Sequence, residues 1–274
     1  MLTWGRWFKF LEKVGDYLVR RTVTHGETGT RVIRCNLDET FLRFHVAQKN
    51  AVIPEENARR VNRNHAPNKK TTKGGCTFSA IISDAYDIQF KPTIILNASH
   101  PRKSWKVDAA KCWEGSAYVI PDGNENGHHQ TDSSLFMRTL QRVAAEKAAH
   151  EKRLGHRIVI QFIVDVCPAH TVEDSWREEW LEERHGIYLF WLQPEVGSKL
   201  QPLDCHGILS SIKNGQAHLR GYHSLLSPAF RDFTLAVLRL HSRPSTFEKF
   251  GFHGNPRDWA PMQSELRKFL LDLH

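Results

Sequence analysis

The chain has 274 residues, 40% of them hydrophobic and 25% charged, which fits one large globular domain, with or without an appendage, and excludes a disordered composition. No apolar run is long enough to span a bilayer, and the opening MLTWGRWFKFLEKVGD lacks the uninterrupted apolar core of a signal peptide. Thirty-eight Lys and Arg against 30 Asp and Glu give a formal charge of +8, which permits a polyanionic partner without demonstrating one.

Trp7, Leu11, Val14 and Leu18 recur at helical spacing and predict an amphipathic helix over 4–21. THGETGT (24–30) breaks it, and RVIRCNL (31–37) reads as a strand ending at Asp38. Residues 49–73 carry seven basic side chains against Glu55 and Glu56 and read as an exposed basic loop or ribbon. CTFSAII (76–82) and FKPTIIL (90–96) predict an antiparallel hairpin, with Pro92 placing the second strand at an edge or delaying its start.

After the polar loop 121–130, Thr131-Asp132 predicts the cap of a helix whose Phe136, Leu140, Val143 and Ala144 share one face. IVIQFIV (158–164) reads as a buried strand stopping at Asp165. Val172, Trp176 and Trp180 predict a helix stopped by Gly186, and IYLFWL (187–192) another buried strand. A helix starting near Asp204 turns Ile208, Leu209 and Ile212 inward, and helical pattern returns over roughly 225–240 and 261–273. Antiparallel strands followed by βαβ units imply an α/β fold, a mixed sheet covered by helices.

Five cysteines, Cys35, Cys76, Cys112, Cys167 and Cys205, are scattered singly with no C-x-x-C, so reduced thiols in an intracellular compartment are expected. Phosphate-binding P-loop, dinucleotide, serine-hydrolase and zinc-protease motifs are absent, so no nucleotide cofactor is expected. A zinc site built from Cys167, His170, Cys205 and His206 is disfavoured, because an adjacent Cys and His rarely both reach one tetrahedral ion.

Three aspartates mark the ends of predicted core elements. Asp38 closes the first strand, Asp165 closes the most apolar one, and Asp204 opens the helix after the last. Taken singly, an aspartate there is a turn former or cap. Together, at the carboxyl edge of an α/β sheet, they would raise one another's pKa unless hard divalent cations shared the site.

The sequence around each aspartate resembles the mariner–pogo group of DDE-superfamily transposases. Asn36-Leu37-Asp38-Glu39-Thr40 resembles the first block of that family, and Asp165-Val166-Cys167-Pro168-Ala169-His170 the second. Leu200-Gln201-Pro202-Leu203-Asp204, with Gly207 and Lys213 downstream, is similar to the third, and 38 residues separate Asp165 from Asp204. The resemblance spans about residues 31–215.

It implies an RNase H-like mixed sheet flanked by helices: a catalytic domain over 31–220, a helical segment over 1–30 ahead of it and a helical C-terminal extension over 221–274. It also implies a metal-dependent DNA endonuclease and strand-transfer enzyme acting in the nucleus, with DNA as partner and a homodimer as an assembly to test. Two Mg²⁺ or Mn²⁺ ions would be held by Asp38, Asp165 and Asp204, Asp38 bridging both, with His170 in a supporting catalytic place. Glu39, adjacent on the strand, points to the opposite face and reads as structural.

Arg59, Arg60, Arg63, Lys69, Lys70 and Lys213 are the candidates for salt-dependent phosphate contacts. The acidic run Glu173, Asp174, Glu178, Glu179, Glu182 and Glu183 reads as a solvated face away from any nucleic acid. About 30 residues precede the first block, too few for the helix-turn-helix reader this family usually carries. That shortfall motivates the alternative, a domesticated or decayed transposase domain that binds DNA or protein without catalysis.

Overall fold

The computed structural model describes residues 30–43, 75–96, 103–123, 126, 130–192, 201–205, 207–218 and 224–248. The helix expected over 4–21, the basic stretch 49–73 and the helix expected over 261–273 lie outside the described residues.

Six strands form one mixed sheet in the order β4-β3-β2-β1-β5-β6. They are β1 (Thr30–Arg43), β2 (Gly75–Ser83), β3 (Thr93–Ile95), β4 (Tyr118–Ile120), β5 (Arg157–Asp165) and β6 (Ile187–Leu192). β1 pairs antiparallel with β2 on one side and parallel with β5 on the other, and β6 adds parallel to β5. The helices are α1 (Lys103–Cys112), α2 (Ser133–Leu154), α3 (Trp176–Arg184, wound as a π-helix), α4 (Pro202–Cys205), α5 (Ile208–His218), α6 (Pro228–His241) and α7 (Pro244–Glu248). This is the mixed, helix-covered α/β sheet expected from the sequence.

One boundary differs in a way that matters. β1 runs 14 residues, to Arg43, so Asp38 lies within the strand and does not close it. Beyond Asp38 the alternation continues, with Thr40 and Leu42 buried and Phe41 exposed, and pairing with β2 carries on to Arg43↔Gly75. The parallel ladder with β5, by contrast, ends at Asn36↔Ile163. Asp38 therefore sits just past the end of the ladder to β5. Pro92 acts as expected, delaying β3 to Thr93, but β4 pairs outside β3 and takes the edge. Neither β4, only three residues long, nor α1 was legible in the pattern.

The strand period of two sorts the core into two layers. Ile33, Cys35 and Leu37 of β1 face one side with Phe136, Leu140 and Val143 of α2 and Leu181 of α3. Leu42, Phe78, Ile82 and Ile163 face the other, against Leu203, Ile208 and Ile212 of α4 and α5 and Phe230, Leu238 and Phe247 of α6 and α7. The helices after residue 220 thus share the core of the sheet. Trp113, fully buried after α1, donates its indole N–H to the Leu225 carbonyl at 2.9 Å and ties the two ends of this layer together.

α2 begins and ends as its sequence dictates. The Asp132 carboxylate accepts from the Leu135 N–H at 2.9 Å, and Gly155 closes the helix at φ 73°, a left-handed turn that glycine adopts without steric cost.

A carboxylate cluster at the sheet edge

Register brings the first two aspartates together. In a parallel pair, residues in register project to the same face. Asn36 is paired with Ile163, so Asp38 and Asp165, each two residues past the last pair of the ladder, emerge at the same edge of the sheet. Asp204 arrives from α4, which packs over the same layer.

Two buried amides hold α4 in place. The Asn36 side chain, fully buried, donates to the Ile163 carbonyl at 3.1 Å and the Leu37 carbonyl at 3.3 Å, and its oxygen accepts from the Leu203 N–H at 2.9 Å. The Gln201 side chain, 1% exposed, donates to the Leu37 carbonyl at 3.0 Å. One residue before Asp204 and three before it, the chain is therefore tied to Asn36 and Leu37, the two strand residues just ahead of Asp38. Buried amides left without partners would be costly, so this local order is strongly specified.

The electrostatics follow from that crowding. Burial, together with the Asp204 and Asp165 carboxylates, pushes Asp38 up to about 8 from an ordinary 3.8, and Asp38 and Asp204 share a hydrogen bond. The Glu39 N–H, donating to Asp38 Oδ1 at 2.7 Å, only partly offsets this. Carboxylates that repel one another in this way would be relieved by a divalent cation among them. Asp165 Oδ1 is enclosed, and His170 is its neighbour.

His170 approaches Asp165 from beneath the sheet edge. Pro168 starts a 3₁₀ turn, Pro168–His170, in which the His170 N–H bonds back to the Cys167 carbonyl at 3.0 Å. The turn folds the imidazole onto Asp165: Nδ1 lies 2.7 Å from Oδ1 and 3.2 Å from the Asp165 carbonyl. Trp191 of β6 donates to the His170 carbonyl at 3.1 Å, and the Phe136 ring lies 4.7 Å from the imidazole. Burial opposes the charged imidazolium, but Asp165 and Glu39 outweigh it and raise His170 to about 10.

Glu39 faces the side opposite Asp38, as expected. There it accepts from the Thr131 hydroxyl at 2.5 Å and stands 3.8 Å from His170 Nε2. It supports the histidine rather than joining the three aspartates.

Of the basic candidates, Lys213 lies exposed on α5, while Arg59, Arg60, Arg63, Lys69 and Lys70 fall outside the described residues. In the acidic run Asp174 and Glu178 are exposed, but Arg177 gathers Asp174, Glu178 and Glu182 at 3.1–3.5 Å, so the run is partly neutralised by its own helix. Of the four residues in the zinc grouping, Cys167 and His170 come together with Asp165, and His206 lies outside the described residues. Asn36 and Gln201 stand in the first and third sequence blocks and Thr131 at the predicted cap, but the sequence reading gave none of them a positioning role. The available signal was the amide within each of those two blocks.

No protein-family model matches the chain, and no curated protein matches it in sequence. Among solved structures it is similar to a Mos1 transposase paired-end complex with left transposon end, at 12% identity and TM-score 0.39. It is also similar to a pre-cleavage Mos1 transpososome, at 11% identity and TM-score 0.34. Each comparison covers 89% of this chain, which spans 62% of the length of those chains.

Proposed function

We propose that this chain is a metal-dependent DNA endonuclease and strand-transfer domain of the mariner–pogo transposase type, with Asp38, Asp165 and Asp204 as the ion ligands. The observation that supports the reading is that Asp38, half-buried in β1, is pushed up to about 8 by burial and by the Asp204 and Asp165 carboxylates, which places all three in one electrostatic neighbourhood. The three sequence blocks supply the same residues independently. Mg²⁺ or Mn²⁺ bound there would supply activation of the attacking water or 3′-hydroxyl and charge stabilisation at the leaving oxygen.

The protein's own groups do the rest. Asn36 and Gln201 fix Asp204 against Asp38, His170 orients Asp165, and the ladder that ends at Asn36 leaves the cluster open at the sheet edge. Lys213 and the basic stretch 49–73 would meet DNA phosphates in a salt-dependent, sequence-independent way.

Calorimetric titration of Mn²⁺ into the wild-type chain and into Asp165→Asn tests this without a known DNA end. Binding by the wild type that is lost in the variant, followed by Mn²⁺-dependent nicking of a plasmid, is the expected outcome. A well-folded wild type that binds no Mn²⁺, even with a short duplex present, overturns it and leaves a non-catalytic domain.

A further inference from the structure

We propose that Asp165, Cys167 and His170 form a second kind of metal site, one that takes a thiophilic divalent cation of the Zn²⁺ class and thereby occupies Asp165. One donor atom from each of these side chains lies within 4.8 Å of the other two. The turn described above creates the grouping: Pro168 directs the chain into a 3₁₀ turn whose cap is Cys167 and whose last residue is His170, so both return to the strand end carrying Asp165.

Burial points to a ligand rather than to packing. His170 is 3% exposed, yet its Nε2 has no hydrogen bond, the nearby carboxylate oxygen of Glu39 being 3.8 Å away. Asp165 Oδ1 faces the other ring nitrogen, Nδ1, at 2.7 Å. A buried imidazole nitrogen without a hydrogen bond is uncommon and costly, and a cation held by the imidazole and Asp165 would replace their direct contact. The Asp165 side chain is 40% exposed, which leaves an entry path and room for a water in a fourth position.

The donor chemistry selects the ion. Mg²⁺ takes oxygen ligands and gains nothing from a thiolate, whereas one sulfur, one imidazole nitrogen and one carboxylate oxygen make a borderline-soft set suited to Zn²⁺. Tetrahedral Zn²⁺ with bonds of about 2.0–2.3 Å wants its ligand atoms roughly 3.3–3.8 Å apart. Within a grouping bounded at 4.8 Å, the 2.7 Å contact between His170 Nδ1 and Asp165 Oδ1 opens as Cys167 draws in, by side-chain rotation. Cys167 is unpaired and only partly buried, so its thiol is free to serve.

The site itself stands on these three side chains. Its consequence, exclusion of the catalytic ion from Asp165, rests on the endonuclease reading.

The test uses the full chain, stripped with chelator, in wild-type, Cys167→Ala and Cys167→Ser forms whose folding is checked by circular dichroism. Zn²⁺ affinity is read by competition with a chromogenic chelator, and Co²⁺ is added as a spectroscopic stand-in. One equivalent of Zn²⁺ bound by the wild type, at least tenfold weaker binding by both variants, and a thiolate-to-cobalt charge-transfer band seen only in the wild type are expected. Zn²⁺ affinity and Co²⁺ spectrum unchanged by losing Cys167, or no Zn²⁺ binding by a folded wild type, would overturn the proposal. Mn²⁺ titrated into separate wild-type samples scores the endonuclease reading on its own, so one can fail while the other stands.

Discussion

Replacing Asn36 with alanine tests whether the buried amides build the carboxylate cluster. The change removes two donated bonds and one accepted bond from a fully buried side chain. The Leu37 carbonyl keeps Gln201 as a partner. The Leu203 N–H, on a residue with 0% exposure, loses its partner. One orphaned buried donor costs about 1–3 kcal/mol, and the polar cavity adds roughly another 1 kcal/mol. The expected loss is therefore about 2–4 kcal/mol, within the 5–15 kcal/mol typical of a domain, so the variant should fold. With α4 no longer tied to β1, Asp204 loses its fixed place and Mn²⁺ affinity should fall at least tenfold, about 1.4 kcal/mol. Urea unfolding and Mn²⁺ calorimetry on Asn36→Ala, Gln201→Ala and the double variant give the coupling between the amides. Stability within about 0.5 kcal/mol of wild type, or unchanged Mn²⁺ affinity in a destabilised variant, would refute the reasoning.

Other outcomes follow from the same geometry. Asp38→Asn relieves the repulsion from Asp204 and Asp165; it should stabilise the chelated protein by about 1–3 kcal/mol while removing Mn²⁺ binding, and a lower Tm in chelator would contradict this. Gly207 separates α4 from α5 at φ 63°, and a methyl group added there would meet nothing within 4 Å. Gly207→Ala should therefore cost about 1–2 kcal/mol from backbone strain alone and Gly207→Asn less, because asparagine tolerates the left-handed region, and equal urea midpoints would count against it. Arg31 grips Asp87 through two bonds of 2.7 and 2.9 Å, and that hydrogen-bonded pairing lowers the Asp87 pKa. The stability it contributes is present above the ordinary carboxylate value of about 4 and is lost as pH falls through the lowered one. Arg31→Met should cost up to about 1 kcal/mol at neutral pH, since the pair is partly exposed, and the gap from wild type should close in acid. A gap constant with pH would show that packing, not charge, sets it.

The elements legible in the sequence were those whose signals agreed with one another. The Asp132 cap with the Phe136–Ala144 face, the apolar runs 158–164 and 187–192, and the inward Ile208, Leu209 and Ile212 each reappear where expected. β4 was not legible because three residues are too few for a period to emerge, and its order depends on pairing with β3. β1 was cut short for a different reason: Asp38 looks like a strand terminator, and only the pairing of Phe41, Leu42 and Arg43 with β2 shows that the strand continues.

That misjudged boundary explains how the cluster forms. Asp165, at a true strand end, keeps its side chain partly exposed. Asp38 instead lies inside a strand that is paired on one side and released on the other, so its carboxylate is largely desolvated while one flank stays open. A local sequence signal cannot express this, because the desolvation depends on where the ladder to β5 stops, at Asn36 and Ile163, two residues 127 positions apart in the chain. The same asparagine that marks the end of the ladder satisfies Leu203 and fixes Asp204. The first and third sequence blocks are therefore one structural unit: the amide of one orders the carboxylate of the other, and neither aspartate is positioned without both.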